Sequence, residues 1–101
     1  MPLPISAIEL NSRLEKGDII NLLDVREVIE FSTYNIGGQN LPLSKLPGSI
    51  TQLDYNKTDE IIVICKIGMR SETACKLLQE NGYQNVRNLA GGLIALQKIK
   101  Q

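Results

Sequence analysis

Blocks of apolar residues, separated by polar segments and glycines, predict strands that alternate with helices. Residues 61–64 form an unbroken, β-branched apolar run, which is typical of a strand buried on both faces of a sheet. The mostly apolar residues 19–25 predict another strand, and residues 85–89 predict a shorter one. Residues 36–41 predict a turn that leads into a further short strand, and Ile5 is expected in a short strand or its lead-in.

The segments between these strands carry the signals of helices. Ser6 followed by Glu9 has the spacing of a capping box, and Gly17 is expected to end the helix that begins there. Similar signals predict a single helical turn at residues 26–31 and a short helix at residues 46–53. They also predict two longer helices, at residues 71–81 and 91–100. The stripes expected to face the sheet in the last two helices are Ala74, Leu77 and Leu78, and Leu93, Leu96 and Ile99.

Strands that alternate with helices predict an α/β fold with a mainly parallel central sheet, covered by helices on both faces. No internal repeat, low-complexity segment or linker divides the chain. Its 101 residues suit one small domain. We therefore predict that residues 1–101 form a single domain.

Composition and charge narrow the functional classes. The 11 basic residues balance the 11 acidic ones, so no global charge draws the chain to nucleic acid or to an acidic membrane. No apolar run is long enough to span a bilayer, and residues 1–4 lack the basic and apolar segments of a signal peptide. These observations predict a cytoplasmic protein with no nucleic-acid or membrane partner.

The chain has two cysteines, Cys65 and Cys75, and no histidine. Two cysteines do not make a disulfide scaffold, so reduced thiols are expected. The lack of histidine excludes Cys–His and Ser–His nucleophile pairs and most zinc sites. A nucleophilic cysteine in this chain therefore needs a source of activation other than an adjacent histidine.

Cys65 directly follows the predicted strand at residues 61–64, at the sheet edge where parallel α/β folds bind ligands. Gly68 permits a tight loop after it, and Ser71 is expected to cap the helix that follows. Backbone N–H groups of the loop and the positive end of the helix dipole would then converge on the sulfur and favour the thiolate. The alternative is an ordinary buried cysteine, which is the interpretation we favour for Cys75.

Charged residues follow two of the predicted strands. Arg70 is either a ligand for an anion or a surface ion-pair partner, and the pattern favours the ligand. Lys66 either adds positive charge at the site or is a solvated loop side chain. For Asp24 and Arg26, the favoured hypothesis is a structural ion pair that anchors the end of the strand predicted at residues 19–25. Arg26 is also a candidate for attracting an anionic substrate.

Four segments in order resemble the motifs of the rhodanese homology domain: residues 23–31, 36–43, 63–71 and 85–93. The first contains Asp-Val-Arg-Glu and, two residues later, Glu-Phe. The second contains Ile-Gly-Gly and Leu-Pro-Leu, the third contains C-x-x-G-x-R-S, and the fourth contains Asn-Val and Gly-Gly-Leu. The match extends from about Ile5 to Ile99 and implies a three-layer α/β/α fold with a mainly parallel sheet.

The resemblance implies a sulfurtransferase without a metal or organic cofactor. In such a cycle the thiolate of Cys65 takes sulfur from a small anionic donor such as thiosulfate and holds it as a persulfide. A thiophilic acceptor, for which a protein thiol is a candidate, then removes the sulfur. The persulfide-binding loop implied by the match consists of Lys66, Ile67, Gly68, Met69, Arg70 and Ser71.

The form of this loop is similar to that of rhodanese domains fused to E1-like adenylating enzymes. The chain is then either a stand-alone relative or a piece of a longer protein. Asn35 stands where the family often has histidine, and Leu96 where it often has tryptophan. These departures leave the identity of the sulfur donor open.

Two alternatives to sulfur transfer remain. The first is a cysteine phosphatase or arsenate reductase of the same overall fold. The loop of such an enzyme has the form C-x(5)-R, whereas only four residues separate Cys65 from Arg70 in this chain. The shorter loop favours a single sulfur atom over a tetrahedral oxyanion. A non-catalytic binding module that has kept the fold is the second alternative, and the intact Cys65, Gly68 and Arg70 disfavour it.

Overall fold

The computed structural model describes residues 2–100. Its strands are β1 (Leu22–Asp24), β2 (Gln39–Asn40), β3 (Glu60–Ile64) and β4 (Asn85–Asn88). They form one sheet in the order β2-β1-β3-β4, and each neighbouring pair is parallel. A parallel bridge between Ile5 and Leu89 extends the β4 edge, so Ile5 lies beside the sheet as expected.

Helices connect the strands. They are α1 (Ala7–Glu15), α2 (Val28–Thr33), α3 (Leu46–Ser49), α4 (Met69–Glu80) and α5 (Gly92–Ile99). In place of the one short helix predicted at residues 46–53, α3 is flanked by 3-10 turns at Leu43–Lys45 and Ile50–Gln52. Within residues 2–100, no helix has the length and apolarity that crossing a bilayer requires.

Strand β3 carries the core because its side chains alternate between the two faces of the sheet. Ile61 and Val63 pack with α4 and the segment around α3, whereas Ile62 and Ile64 pack with α1 and α5. All four side chains are fully buried. This confirms the predicted central strand and the α/β/α layers. Burial of such a side chain typically stabilises a fold by about 1.5 to 3 kcal/mol, so β3 gives the following loop a firm base.

Some helices and strands begin or end at other residues than predicted, because contacts with distant segments set their boundaries. Within residues 19–25, Leu22–Asp24 pair with neighbouring strands, whereas Ile19 is 99% exposed. The helical turn predicted at residues 26–31 is α2, which begins at Val28. Ile99, expected on the buried stripe of α5, is 38% exposed. Periodicity alone does not show where an element leaves the sheet.

The first helix forms half of its predicted capping box. The hydroxyl of Ser6 accepts a hydrogen bond from the N–H of Glu9 at 3.0 Å, as the pattern predicts. The Glu9 carboxylate instead accepts from the guanidinium of Arg87 on β4, which also bonds Glu60 on β3. These contacts attach α1 to the sheet edge.

Candidate active site

Cys65 lies directly after β3, where the chain enters the predicted loop. Its Sγ is enclosed by three groups: the N–H of Gly68 at 3.1 Å, the N–H of Ser71 at 3.3 Å and the hydroxyl of Ser71 at 3.2 Å. Cys65 has no exposed surface. The structure thus brings together three residues that the sequence singled out, around a sulfur that solvent does not reach.

The prediction that Ser71 caps the following helix is wrong. Helix α4 begins at Met69, and its N-cap is Gly68 at φ +98°, a left-handed conformation that glycine adopts without strain. At this turn the N–H groups of Gly68 and Ser71 both point to Sγ of Cys65. Ser71 therefore lies in the first helical turn, where its side chain contacts the sulfur and does not close the helix end.

The amino end of α5 supports the loop from the other side. The N–H of Leu93 donates to the carbonyl oxygen of Cys65 at 2.9 Å, and the N–H of Ile94 donates to that of Lys66 at 3.1 Å. Gly92 allows this close approach, because a Cβ built on it would lie 2.4 Å from the Lys66 oxygen. The sequence identified the Gly-Gly pair as the start of a helix and missed its support of the loop.

Hydrogen bonds to Sγ lower the pKa of Cys65. Burial raises the pKa of its thiol, but hydrogen bonds outweigh burial and bring the pKa below the ordinary value. The donors, in order of effect, are the hydroxyl of Ser71 and the N–H groups of Ser71, Gly68 and Ile67. The backbone activation expected from the sequence is present, and the Ser71 hydroxyl adds to it.

Cys75 lies on α4 and packs in the core beside the sheet. Burial, followed by the charges of Glu72 and Cys65, raises the pKa of Cys75 to about 12. A thiol that stays protonated at neutral pH is a poor nucleophile. Its environment agrees with the core-packing interpretation.

We expect the thiolate of Cys65 to form at a lower pH than that of an ordinary cysteine. A pH titration of the ultraviolet absorbance of the thiolate measures this, with Cys65→Ala as the blank. Since Cys75 titrates at about 12, the lower transition belongs to Cys65. Ser71→Ala removes the strongest donor and should raise the midpoint by about one pH unit. A midpoint in Ser71→Ala at or below that of the unmodified chain would contradict the assignment.

Arg70 forms an ion pair and does not stand free beside the sulfur. Its Nη1 and Nη2 lie 2.6 and 3.0 Å from the two carboxylate oxygens of Glu30 on α2. The hydrogen bond from Arg70 is the largest of the effects that lower the pKa of Glu30 to about 2, so the pair stays ionised at neutral pH. The structure matches the less favoured interpretation, a surface ion pair, and anion binding by Arg70 stays a prediction.

Asp24 and Arg26 form a second ion pair at the end of β1. Nη2 of Arg26 lies 2.8 Å from Oδ2 of Asp24 and donates to the carbonyl oxygen of Tyr34 at 2.7 Å. The amide of Asn40 donates to the carbonyl oxygens of both Asp24 and Arg26. Asp24 is 0% and Arg26 6% exposed. These contacts anchor the strand end, as the structural hypothesis expects. The guanidinium of Arg26 is held by Asp24 and Tyr34.

A groove of about 360 Å³ opens beside the loop, between α2 and the start of α5. Ile29, Glu30, Lys66 and Leu93 are among its walls. Lys66 is exposed and makes no ion pair with any residue of the described chain. Cys65 does not border the groove and has no exposed surface, so a reagent reaches its sulfur only after a local movement of the chain.

Asn88, at the end of β4, contacts the site without any signal in the sequence. Its Oδ1 accepts a hydrogen bond from the hydroxyl of Ser71, and its Nδ2 donates to the carbonyl oxygen of Gly68 at 3.1 Å. An asparagine at a strand end carries no signal of this role in a single sequence. Only the pairing of β3 with β4 brings it beside the Cys65 loop.

A family described as Rhodanese-like domain matches residues 6–98 of the chain. The chain is 33% identical over 92 residues to a sulfurtransferase of Allochromatium vinosum, and the match covers 90% of this chain and 84% of that protein. It is 31% identical over 97 residues to the adenylyltransferase and sulfurtransferase MOCS3-2 of Zea mays, covering 90% of this chain and 20% of that protein.

The chain is also similar to a longer protein and to a solved structure of about its own length. The chain is 32% identical over 90 residues to a Bacillus subtilis protein named "Putative sulfur carrier protein YrkF"; the match covers 88% of this chain and 48% of that protein, about half its length. The solved structure of the human single-domain sulfurtransferase TSTD1 superposes with a TM-score of 0.80 at 28% identity, covering 97% of this chain and 96% of that one. The similarity therefore includes the sheet, both helical layers and the Cys65 loop.

Proposed function

The chain belongs to the rhodanese-like domain family, and we propose that it transfers sulfane sulfur as a persulfide on Cys65. The observation that supports this most directly is the enclosure of Sγ by the two N–H groups and the hydroxyl of Gly68 and Ser71. Such a site favours a sulfur anion without a histidine. Relatives named sulfurtransferases support the reaction class.

In the first half-reaction, the Cys65 thiolate attacks the outer sulfur of thiosulfate. A sulfur–sulfur bond to Cys65 forms while the bond between the two thiosulfate sulfurs breaks, and sulfite leaves with that electron pair. The product is a persulfide whose terminal sulfur carries the negative charge. The N–H groups of residues 67–71 would donate to this terminal sulfur; those of Gly68 and Ser71 now donate to Sγ.

In the second half-reaction, a thiolate or cyanide attacks the terminal sulfur. The bond to Sγ breaks, and Cys65 leaves as a thiolate with the electron pair. The starting state returns, so the cycle balances without an external oxidant or reductant. Similarity to a protein named as a sulfur carrier supports a protein thiol as one acceptor.

Two features of the site favour sulfur over a tetrahedral oxyanion. The loop has only four residues between Cys65 and Arg70, and Glu30 holds the guanidinium that an oxyanion would need. The remaining donors converge on one sulfur atom. This arrangement supports sulfur transfer above the phosphatase and arsenate reductase alternatives.

Intact-protein mass spectrometry tests the proposal. After incubation with thiosulfate or a small persulfide, we expect a mass gain of one sulfur atom, located on Cys65 by peptide mapping. Cyanide should remove the added mass and yield thiocyanate. If no donor adds sulfur, the non-catalytic binding module is the better hypothesis, and rapid hydrolysis of an aryl phosphate would favour a phosphatase.

The ion pair of Arg70 predicts an effect of Glu30 on donor choice. Glu30→Gln releases the guanidinium while the amide oxygen can still accept from the N–H of Glu27, as the carboxylate does. We expect the KM for thiosulfate to fall by about two- to five-fold at low salt, because an exposed charge contact has about that effect. The KM for an uncharged persulfide donor should not change.

Glu27→Gln is the matched control for this variant. Glu27 lies in the same helix cap, so its substitution removes the same charge without releasing Arg70. Equal effects of the two variants would assign the change to general charge and not to the guanidinium. An unchanged KM in Glu30→Gln would exclude Arg70 from donor binding.

Lys66 is the loop cation that is exposed and, within residues 2–100, not held in an ion pair, and we propose that it attracts a small anionic donor. Both cysteines are free thiols, which suits a reducing compartment such as the cytoplasm. We also propose that residues 1–101 act as one domain, since the core clusters on the two faces of the sheet both contain residues of β3.

A further inference from the structure

The hydroxyl of Ser71 lies between two acceptors. Its Oγ is 3.2 Å from Sγ of Cys65 on one side and donates to Oδ1 of Asn88 on the other. Asn88 cannot turn its amide around without loss, because its Nδ2 donates to the carbonyl oxygen of Gly68. The acceptor oxygen of Asn88 is therefore held toward Ser71.

We propose that Asn88 is a positioning residue that competes with Cys65 for the single hydroxyl proton of Ser71 and thereby sets how readily Cys65 ionises. The proposal rests on the proposed function only in taking Cys65 as the nucleophile. Asn88 acts through Ser71, so its role differs from that of the loop N–H groups, which bond the sulfur directly.

The competition arises because the Ser71 hydroxyl has one proton and two possible acceptors, Sγ of Cys65 and Oδ1 of Asn88. While Cys65 is a thiol, its S–H donates to the oxygen of Ser71, and the Ser71 hydroxyl donates to Asn88, so every group in the chain is satisfied. When Cys65 is a thiolate, Ser71 turns its only proton to the sulfur. The oxygens of Ser71 and Asn88 then face each other without a proton between them, which costs free energy. Asn88 thus favours the thiol.

The same competition acts in both half-reactions. A persulfide has a neutral Sγ, so the Ser71 proton returns to Asn88. When the acceptor removes the terminal sulfur, the proton turns back to the departing Cys65 thiolate. A higher pKa makes a thiolate a stronger nucleophile, and a lower pKa makes it a better leaving group. Asn88 therefore balances loading of sulfur on Cys65 against its discharge.

Among residues 2–100, Arg70 interacts with the charge of Cys65, but no charged group is hydrogen-bonded to the Ser71 hydroxyl. On the loop and α4, Arg70 is paired with Glu30, and Lys66 and Glu72 are exposed. At the end of β1, Arg26 is paired with Asp24. The neighbouring groups on α5 and β4, Leu93 and Asn88, do not titrate, and Cys75 on α4 stays protonated.

The thiolate titration of Cys65 tests the proposal with two variants. Asn88→Leu has a similar size and no acceptor, so the midpoint should fall by about 0.5 to 1 pH unit. Asn88→Asp keeps an acceptor and adds negative charge, so the midpoint should rise. Both variants lose the donor to Gly68, so the loss of that bond does not distinguish them; the charge of the new carboxylate acts on Sγ directly as well as through Ser71. Asn85→Leu, at the other end of β4, is the control and should change nothing.

A double substitution separates positioning from support of the loop. In a Ser71→Ala background, Asn88→Leu should no longer lower the midpoint. If Asn88 only anchors the loop, Asn88→Leu loosens the N–H donors and raises the midpoint, which overturns the proposal. If that variant does not fold, a midpoint in Asn88→Asp at or below that of the unmodified chain overturns it as well.

The readout keeps this proposal distinct from the proposed function. The titration measures ionisation and needs no sulfur donor. A shift in Asn88→Leu in a chain that never accepts sulfur would reject the proposed function alone. Sulfur transfer with an unchanged midpoint in that variant would reject the role of Asn88 alone.

Discussion

Replacing Cys65 with alanine is expected to abolish sulfur loading and to lower the transfer rate to background, a fall of at least about 10³-fold. The reason is chemical, because in the proposed cycle the persulfide bond forms on Sγ and no other described group occupies that position. Cys75 cannot substitute, since burial holds its pKa at about 12. Sulfur loading is measured by intact mass, and transfer by the thiocyanate formed from cyanide.

The matched control for Cys65→Ala is Cys75→Ala. Cys75 is on the adjacent helix and is 7% exposed, so its substitution also trims a buried thiol. We expect Cys75→Ala to lower the free energy of unfolding modestly, by about 1 kcal/mol, while sulfur loading persists. Loading that persists in Cys65→Ala and disappears in Cys75→Ala would reverse the assignment of the nucleophile.

Replacing Gly92 with alanine is expected to disrupt the Cys65 loop. The new Cβ would lie 2.4 Å from the carbonyl oxygen of Lys66 and 2.6 Å from the nitrogen of Ile67, and backbone atoms cannot turn aside as a flexible side chain can. The left-handed φ of +64° adds strain. We expect the free energy of unfolding to fall by about 2 to 5 kcal/mol.

The same substitution should impair sulfur loading in the molecules that remain folded. If α5 moves away, the N–H groups of Leu93 and Ile94 lose the carbonyl oxygens of Cys65 and Lys66 that they now bond. A displaced nucleophile loses about 10²-fold in rate per ångström of misplacement. Urea unfolding and the initial rate of loading by thiosulfate measure the two effects.

Gly17→Ala separates the clash from the backbone strain. Gly17 has a φ of +78°, and a Cβ there meets nothing within 4 Å, so the variant carries the strain alone, about 1 to 2 kcal/mol. Its rate of sulfur loading should equal that of the unmodified chain. If Gly92→Ala is no more harmful than Gly17→Ala, the close approach of α5 to the loop does not support the site.

The sequence was sufficient for the central strand, the sheet type and the position of Cys65 at the strand end, because those depend on local pattern. The apolar run at residues 61–64 has to be buried on both sides, and a cysteine directly after such a strand has to lie at its carboxyl end. Gly68 then permits the turn. The order of four short motifs was enough to predict the family.

Other features were set by contacts between distant segments. Arg70 looked like a free cation because nothing in its own motif shows that Glu30, 40 residues away, pairs with it. Ser71 looked like a helix cap because the left-handed turn at Gly68, which starts α4 earlier, was not visible in the pattern. The helix boundaries and the exposure of Ile99 were decided in the same way.

The sequence by itself identified Sγ of Cys65 as the atom that we propose to react, since the chain offers one cysteine at a strand end and no histidine. The tertiary structure decided how that atom is activated and restrained. Strand order places Asn88 beside Ser71, and the fold brings Gly92 against the loop and Glu30 against Arg70. Local pattern specifies a strand and its turn, whereas a hydrogen bond between segments depends on where the whole chain packs.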